Sequence, residues 1–207
     1  MTPVIAAYSE IHEKGVYKNG KLLLNNSSKA PFNVFARDIY QLLNPDYPKF
    51  FKMDDLCKLA FLAAEVLLSD NPLSKTDPSD IALVLGNTNS SIASDMKHAE
   101  SIKNRKNYFP SPAVFVYTLP NIMLGEICIR HQITGETTCF IMEKFDSGLL
   151  HQYVCNLFDT EDYKYCITGY VDYLENAYSA YLFLIEKGSD SVYIDKFDKN
   201  FKKHIVL

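Results

Sequence analysis

The stretch from Asp54 to Ser69 constrains the fold more than any other part of this chain. From position 56 it reads Leu-Cys-Lys-Leu-Ala-Phe-Leu-Ala-Ala-Glu-Val-Leu-Leu, so nearly every position is apolar. Asp54 or Asp55 is a favourable N-cap, which predicts a helix over 54–69. Because a helix that is apolar all round must be buried on several sides, this segment predicts a layered architecture with the helix sandwiched inside it.

Strand patterns and helix patterns alternate along the chain. We expect strands at 3–9, 80–85, 138–145, 164–168 and 179–186, with an extended segment at 113–118 and Gly169 ending the fourth strand. We expect helices at 33–43, 54–69, 91–103, 120–131 and 147–158, and a hairpin turn at Lys18-Asn19-Gly20-Lys21. This alternation predicts an α/β protein whose sheet is mixed, mostly parallel, and covered by helices on its faces.

Length and composition limit the class of protein. The 207 residues predict a single domain, 1–207, whose lysine-rich tail 188–207 adds either an edge strand near 191–194 or an amphipathic helix. A net charge of -4 does not favour nucleic-acid binding. No apolar run is long enough for a membrane span, and the N-terminus lacks the basic region of a signal peptide. The five cysteines form no CxxC pair, which predicts neither a zinc site nor a disulfide framework and favours a reducing, cytoplasmic setting.

Several short motifs follow one another in a fixed order between residues 50 and 172. They are Met53-Asp54 with the apolar helix after it, Gly86-Asn87-Thr88, Pro112-Ala113-Val114-Phe115, Leu119-Pro120-Asn121, Ile133-Thr134-Gly135, Ser147-Gly148-Leu149, and Val171-Asp172. In this order they resemble the N-terminal half of a β-ketoacyl synthase, in which a strand ends in Thr-Ala-Cys-(Ser/Thr)-Ser-Gly-Leu. The resemblance implies a thiolase-like half-fold, βαβαβαββ. It also implies kinship with the chain-length-factor-type subunits of aryl-polyene and fatty-acid type assembly systems.

The resemblance places Phe145 at the position of the acyl-accepting cysteine. A phenyl ring cannot be acylated, whereas the family's reaction needs a thiolate and two histidines. Those histidines belong to the second half of the family's fold, and neither His151 nor His204 has a matching motif around it. We therefore expect no condensation by this chain alone. Phe145 either plugs an acyl tunnel or gates a partner's cavity, or it only fills core space.

Two other residues are candidate nucleophiles. Cys139 falls inside an apolar strand, where a buried structural cysteine is the simpler interpretation. Ser147 and His151 are four residues apart on one helix and can touch. A hydrolase built on that pair would also need an orienting acid and an oxyanion hole, and the chain has no Gly-x-Ser-x-Gly elbow. No cofactor or metal site is predicted.

Three features suggest binding surfaces. A basic stretch is flanked by Tyr108 and Phe109, and it either docks an acidic acyl carrier protein or is a solvated helix end; its members are Lys97, His98, Lys103, Arg105 and Lys106. The run Gly86–Asn89 either cradles a phosphate, as of a pantetheine arm, or is an ordinary turn. The resemblance implies that a single half exposes apolar surface. It also implies an oligomer, with itself or with a full-length ketosynthase, through strand 138–142.

The leading hypothesis is a non-catalytic, ketosynthase-like subunit that pairs with a full ketosynthase in acyl-chain elongation and shapes its acyl cavity. One alternative is an active acyltransferase or thioester hydrolase that uses Ser147 or Cys139. The other is a scaffold that binds carrier protein without influencing the chemistry.

Overall fold

The computed structural model describes residues 3–188 except 71, 105, 107 and 176. Within them the strands are β1 (Pro3–His12), β2 (Gly15–Lys18), β3 (Lys21–Asn25), β4 (Ile81–Asn87), β5 (Thr137–Ile141), β6 (Tyr165–Leu174) and β7 (Ala177–Lys187). The helices are α1 (Phe32–Leu43), α2 (Asp55–Leu67), α3 (Ile92–Ile102), α4 (Pro112–Phe115), α5 (Ile122–His131) and α6 (Ser147–Thr160), with 3-10 turns at Pro48–Lys52 and Pro78–Asp80. The predicted α/β class, with helices packed on a sheet, is confirmed.

The strands form one mixed sheet in the order β3-β2-β1-β7-β6-β4-β5. Only β4 makes parallel pairs, with β5 and with β6. The other pairings are antiparallel, so the expectation of a mostly parallel sheet was wrong. The reason is local connectivity: short turns join β1, β2 and β3, and likewise β6 and β7, and only the helical crossovers around β4 produce parallel neighbours.

The hairpin between β2 and β3 is confirmed at its predicted turn. Asn19 and Gly20 both have positive φ, at 50° and 77°, as a two-residue hairpin turn of the primed type requires. When this hairpin is set aside and consecutive helices are counted as one, the element order is the βαβαβαββ order that the family resemblance implies.

Helix α2 is the sandwiched helix that its sequence predicts. Ten of its 13 residues are buried, and Leu59, Phe61 and Leu62 have no exposed surface. It packs on one face of the sheet, with α1 and α5 beside it. Asp54 caps it, because its carboxylate accepts a hydrogen bond of 2.8 Å from the backbone N–H of Cys57.

Helix α6 covers part of the opposite face, where it contacts β4 and β6. Four of its 14 residues are buried, and its exposed residues include Gln152 and Asn156. The exposed apolar surface expected of a half-fold is therefore not on α2 and is only slight on α6. Most exposed large apolar side chains lie elsewhere. One group is on β3, on α1 and in the turn at Pro48–Lys52: Leu22, Leu23, Val34, Leu42 and Phe51. The other is on α3, around α4, on α5 and at the end of β5: Ile92, Met96, Tyr108, Phe109, Phe115, Val116, Leu119, Ile129 and Ile141.

Two predicted strand ends differ from the structure by four residues or more. The strand expected over 138–145 ends at Ile141, so Phe145 lies in the turn after it. The strand expected to end at Gly169 continues to Leu174. A Cβ at Gly169, where φ is 151°, would lie 1.9 Å from the carbonyl oxygen of Tyr181. The glycine thus permits close approach of β6 and β7 and does not terminate the strand.

The segment 113–118, expected to be extended, contains helix α4. Pro112 occupies the first turn of this helix, a position that suits proline because its missing N–H would have no helical partner there. The predicted edge strand or helix of the tail, and His204, lie beyond residue 188 and thus outside the described residues.

Candidate functional site at the turn between β5 and α6

The turn that carries Phe145 is fixed at both ends. Beyond β5, the backbone N–H of Met142 donates to the carbonyl of Asn87 on β4, at 2.8 Å. At the start of α6, the Asp146 carboxylate accepts from the N–H of Leu149 at 3.0 Å and caps the helix. A short turn thus joins β5 to α6, with Ser147 as the first residue of the helix.

The Phe145 ring is half-buried and meets Tyr170 of β6 edge to face. The two ring centroids are 5.0 Å apart, with an angle of 68° between the planes. This geometry is favourable for an aromatic pair, since the positive edge of one ring meets the negative face of the other. The same small core on this face includes Met142, Leu150 and Val154. Phe145 therefore occupies the turn as an apolar packing group.

Tyr170 itself is held by a polar contact. Its side chain is only 4% exposed, and its hydroxyl donates to Oγ1 of Thr88 at 2.8 Å. Burial raises the pKa of Tyr170 to about 12, so the phenol stays protonated and remains a donor at neutral pH.

Asp172 holds the loop after β4 in place. One of its carboxylate oxygens accepts from the backbone N–H groups of Thr88, at 3.1 Å, and Asn89, at 2.8 Å. The other accepts from the side-chain amide of Asn89. On the same loop, the amide of Asn87 donates to the carbonyl of Val171 at 2.7 Å. The N–H groups that a phosphate would use are already bonded to a carboxylate, so Gly86–Asn89 is an ordinary strand-to-helix turn.

All five cysteine thiols have a raised pKa. Burial raises the pKa of Cys139 and of Cys128 to about 11, and it also raises the pKa of each of the other three thiols. A high pKa leaves little thiolate at neutral pH, and the thiolate is the reactive form. Cys139 lies on β5, partly packed against the core on the α2 side of the sheet. Its environment fits the structural interpretation.

Ser147 and His151 lie one turn apart on α6, as their spacing predicts. Nε2 of His151 is 3.5 Å from Sγ of Cys155, one turn further along the helix. In the described part of the chain, no group of three or more metal-ligating side chains could hold a metal ion. The same residues contain no helix that is both long and apolar enough to cross a membrane.

The predicted basic stretch is partly neutralised. Nζ of Lys97 lies 3.4 Å from Oδ2 of Asp55, and Nζ of Lys103 lies 3.3 Å from Oε2 of Glu100. The ring of His98 packs 5.3 Å from that of Phe115, and Arg105 is outside the described residues. Tyr108 is 57% exposed and Phe109 is 79% exposed, so apolar surface lies beside this basic stretch.

Strand β5 is the last strand of the sheet among the described residues. Its inner side pairs with β4, and Ile141 at its end is 50% exposed. An open edge strand presents backbone donors and acceptors that can pair with a second chain. Within the segment 138–142, residues 138–140 are partly exposed and Ile141 is exposed, whereas Met142 is buried.

The sequence did not predict that Tyr170 contacts Phe145, nor that Asp172 bonds the loop after β4. A usable signal was present: Asn87-Thr88-Asn89 and Asp172 lie at or near the carboxyl ends of β4 and β6, and parallel neighbours bring such ends together. The two motifs can be connected only once β4 and β6 are paired.

Comparisons with solved structures identify the fold. The chain is similar to the ishigamide ketosynthase/chain length factor, with a TM-score of 0.68 and 18% identity, over 92% of this chain and 63% of that one. It is similar to a ketosynthase (ApeO) in complex with its chain length factor (ApeC) from Xenorhabdus doucetiae, with a TM-score of 0.61 and 12% identity, over 91% of this chain and 80% of that one. A third similar structure is AntDE:AntF, a type II PKS acyl-carrier protein in complex with its ketosynthase. The TM-score is 0.58 and the identity is 14%, over 89% of this chain and 62% of that one.

The chain therefore has the thiolase-like fold of ketosynthases and chain length factors over about nine tenths of its length. It spans less than two thirds of the ishigamide and AntDE:AntF chains that it matches. No protein-family profile matches it, and no curated protein sequence does.

Proposed function

We propose that this protein is a non-catalytic, ketosynthase-like subunit that pairs with a full ketosynthase and helps to set the length of its acyl chain. In this proposal, residues 1–207 form one ketosynthase N-terminal-like domain. The protein takes part in fatty-acid or polyene type elongation in the cytoplasm, and it brings no nucleophile of its own.

The observation that carries the proposal is the position of Phe145. It lies in the turn between β5 and α6, where the family resemblance places the acyl-accepting cysteine, and its ring packs against Tyr170. A rigid apolar ring at that point supports a role in closing an acyl cavity, because it excludes both water and substrate from its own volume. The raised pKa values of the thiols argue against a replacement nucleophile among the cysteines.

Pairing is proposed to occur through β5. This strand is at the sheet edge, and Ile141 is half exposed at its end. Helix α5 contacts β5 and carries Ile129, which is 63% exposed. An open strand edge beside exposed apolar side chains is typical of a surface that another chain covers. The solved structures of similar fold include a ketosynthase in complex with its chain length factor.

The first experiment tests pairing and chain length together. Tagged protein is captured from its native host, ketosynthases are identified by mass spectrometry, and the acyl products are measured with and without the protein. We expect a full-length ketosynthase in the complex and a changed product length when the protein is absent. If no ketosynthase copurifies and the product lengths are unchanged, the proposal is wrong.

Matched variants locate the interface. Ile141→Arg places a charge at the β5 edge and is expected to abolish capture of the ketosynthase. Leu22→Arg places the same charge on β3, at the opposite edge of the sheet, where Leu22 is 46% exposed. It should leave capture unchanged. Equal loss with both variants would contradict an interface through β5.

A second candidate function is acyl transfer or thioester hydrolysis by Ser147. The observation in its favour is that Ser147 begins α6, with His151 one turn away. A thioester probe followed by peptide mass spectrometry separates the two functions. Under the leading proposal, no label is found on Ser147 or Cys139. A labelled peptide that loses its label in Ser147→Ala would establish the enzyme.

A further inference from the structure

We infer that Tyr170 is a positioning residue that fixes the orientation of the Phe145 ring, and that Thr88 and Asp172 hold Tyr170 in place. The inference concerns how Phe145 is held. It rests on the proposed function only for its consequence, namely that the acyl chain length depends on a rigid Phe145.

Phe145 needs an external support because its own backbone provides little. It lies between the last residue of β5 and the N-cap of α6, in a segment without regular secondary structure. Its ring is half-buried, and its edge-to-face contact with Tyr170 has a centroid separation of 5.0 Å. The orientation of the Phe145 ring therefore depends on where the Tyr170 ring stands.

Tyr170 is fixed at both ends of its side chain. Its backbone lies in β6, paired with Gly86 on one side and Tyr181 on the other. Its hydroxyl, at the far end of the ring, donates to Thr88 at 2.8 Å. A ring held at both the Cα and the hydroxyl cannot tilt without losing a buried hydrogen bond.

Thr88, whose hydroxyl accepts this hydrogen bond, is itself held in place by Asp172. Asp172 accepts the backbone N–H of Thr88 at 3.1 Å and that of Asn89 at 2.8 Å, which fixes the loop that presents the Thr88 hydroxyl. Asp172 is on the same strand as Tyr170, two residues along. The contacts thus form a closed path from β6 through the loop after β4 and back to the ring that supports Phe145.

The chain offers a clean reporter for this arrangement because it contains no tryptophan. Phe145→Trp introduces a single indole that can meet Tyr170 edge to face. In that background, Tyr170→Phe keeps the supporting ring and removes only its hydroxyl. Thr88→Val removes the acceptor and keeps the side-chain shape.

We expect each of these two changes to red-shift the emission of the introduced indole and to increase the fast component of its anisotropy decay. The combination of both should give no more than Tyr170→Phe alone, because the hydrogen bond that Thr88→Val removes is already absent in Tyr170→Phe. Tyr40→Phe is the control. Tyr40 is on α1, on the other face of the sheet, and its hydroxyl accepts from the N–H of Tyr47 at 3.2 Å. This variant should leave the emission unchanged.

Unchanged emission and anisotropy in both Tyr170→Phe and Thr88→Val would overturn the inference. So would effects of the two changes that simply add. If Phe145→Trp does not fold, the ring-carbon NMR signals of Phe145, assigned by their loss in Phe145→Leu, give the same readout. Tyr170→Phe should then speed the averaging of those signals, and unchanged averaging would overturn the inference.

The product assay tests the other half of the argument. In the reconstituted complex with its ketosynthase, Tyr170→Phe is expected to broaden the product distribution toward longer chains, and Tyr40→Phe is not. If the indole reporter responds and the products do not, Tyr170 positions Phe145 and the proposed role of Phe145 in chain length is wrong. If neither responds, the positioning itself is wrong.

Discussion

Helices α2 and α6 lie on opposite faces of the same sheet and differ in how many of their residues are buried. Ten of 13 residues of α2 are buried, against four of 14 in α6. Both begin at an aspartate whose carboxylate caps the first turn. The two helices thus begin alike and differ in what covers their outer sides.

The difference shows where this fold tolerates change. Helix α2 has neighbours on the sheet and on two helices, so almost any substitution there disturbs a contact. Helix α6 and the turn before it have fewer such contacts, so a residue at the turn can be exchanged while the fold persists. Under the proposed function, this explains how a phenyl ring can stand at the position that the resemblance gives to the nucleophile: the turn needs a tight strand-to-helix geometry but does not depend on one particular side chain.

The largest effect is expected for Phe61→Ala in α2. Phe61 has no exposed surface, and its ring stacks on that of Tyr47 with the two ring centroids 5.2 Å apart. Truncation leaves a cavity among close-packed rings and should lower the free energy of unfolding by about 3–5 kcal/mol. Leu149→Ala is the matched change in α6, where Leu149 is 39% exposed, and should cost less than about 1 kcal/mol. Urea denaturation measures both.

Equal losses in these two variants would contradict the difference in packing between α2 and α6. They would mean that α6 is as tightly packed as α2, and that a residue at its N-terminal turn is not free to change. An unchanged m-value in both variants is the control that the denatured state is unaffected.

Some features of the fold were predicted from the sequence because a local pattern determines them, and others were not because they depend on distant neighbours. The all-round apolar run of α2 predicted its burial, because such a helix is stable only when it is covered on several sides. Asn19-Gly20 predicted a hairpin, because Asn-Gly favours the positive φ angles of a two-residue turn. The proportion of parallel pairs was not predicted, since pairing depends on which strands become neighbours and not on the composition of each. The prediction at Gly169 was wrong for a similar reason: the close approach of Tyr181 that requires a glycine comes from another strand.

The site was predicted only in part. The motif order located Phe145 and the helix starting at Ser147. The support by Tyr170 depends on a residue about 25 positions later that carries no sequence pattern of its own. Contacts of this kind arise from tertiary packing, and a single sequence holds no record of which side chains meet.

A middle-sized effect is expected at Glu65, a carboxylate of α2 that ties this helix to α5. It accepts from Nε of Arg130 at 2.8 Å, and Nε2 of His131 lies 3.2 Å from the same carboxylate. Glu65→Gln should lower the free energy of unfolding near neutral pH by about 1–2 kcal/mol, with solvent screening of the partly exposed Arg130 keeping the loss modest. Glu161→Gln, at the exposed end of α6, should change it by less than about 0.5 kcal/mol.

The loss in Glu65→Gln should depend on pH. Burial alone would raise the pKa of Glu65, but the hydrogen bonds and charges of His131 and Arg130 lower it below its usual value of 4.5. With a lowered folded-state pKa, the unfolded chain binds more protons, so the stabilisation is fully present well above that usual value. It is lost as the pH falls through the lower, folded-state pKa. Unfolding curves from neutral to acid pH should therefore show the wild type and Glu65→Gln converging; a constant difference would contradict this.

The smallest effects compare the two caps. The Asp54 carboxylate accepts from the N–H of Cys57 at 2.8 Å and from Oγ of Ser94 at 2.7 Å. Asp146 caps α6 through the N–H of Leu149 at 3.0 Å and is itself exposed. Asp54→Ala should therefore cost about 2 kcal/mol and Asp146→Ala about 0.5–1 kcal/mol, within the range for a lost N-cap.

Asparagine at either position keeps an acceptor for the first turn and is the control: Asp54→Asn and Asp146→Asn should each recover most of the loss. Thermal unfolding of the four variants ranks them by their loss of stability. A larger loss for Asp146→Ala than for Asp54→Ala would mean that the turn carrying Phe145 contributes more to the folded state than the start of α2. In that case the phenyl ring that the proposal places at the nucleophile position could not be ascribed to weak packing of the turn.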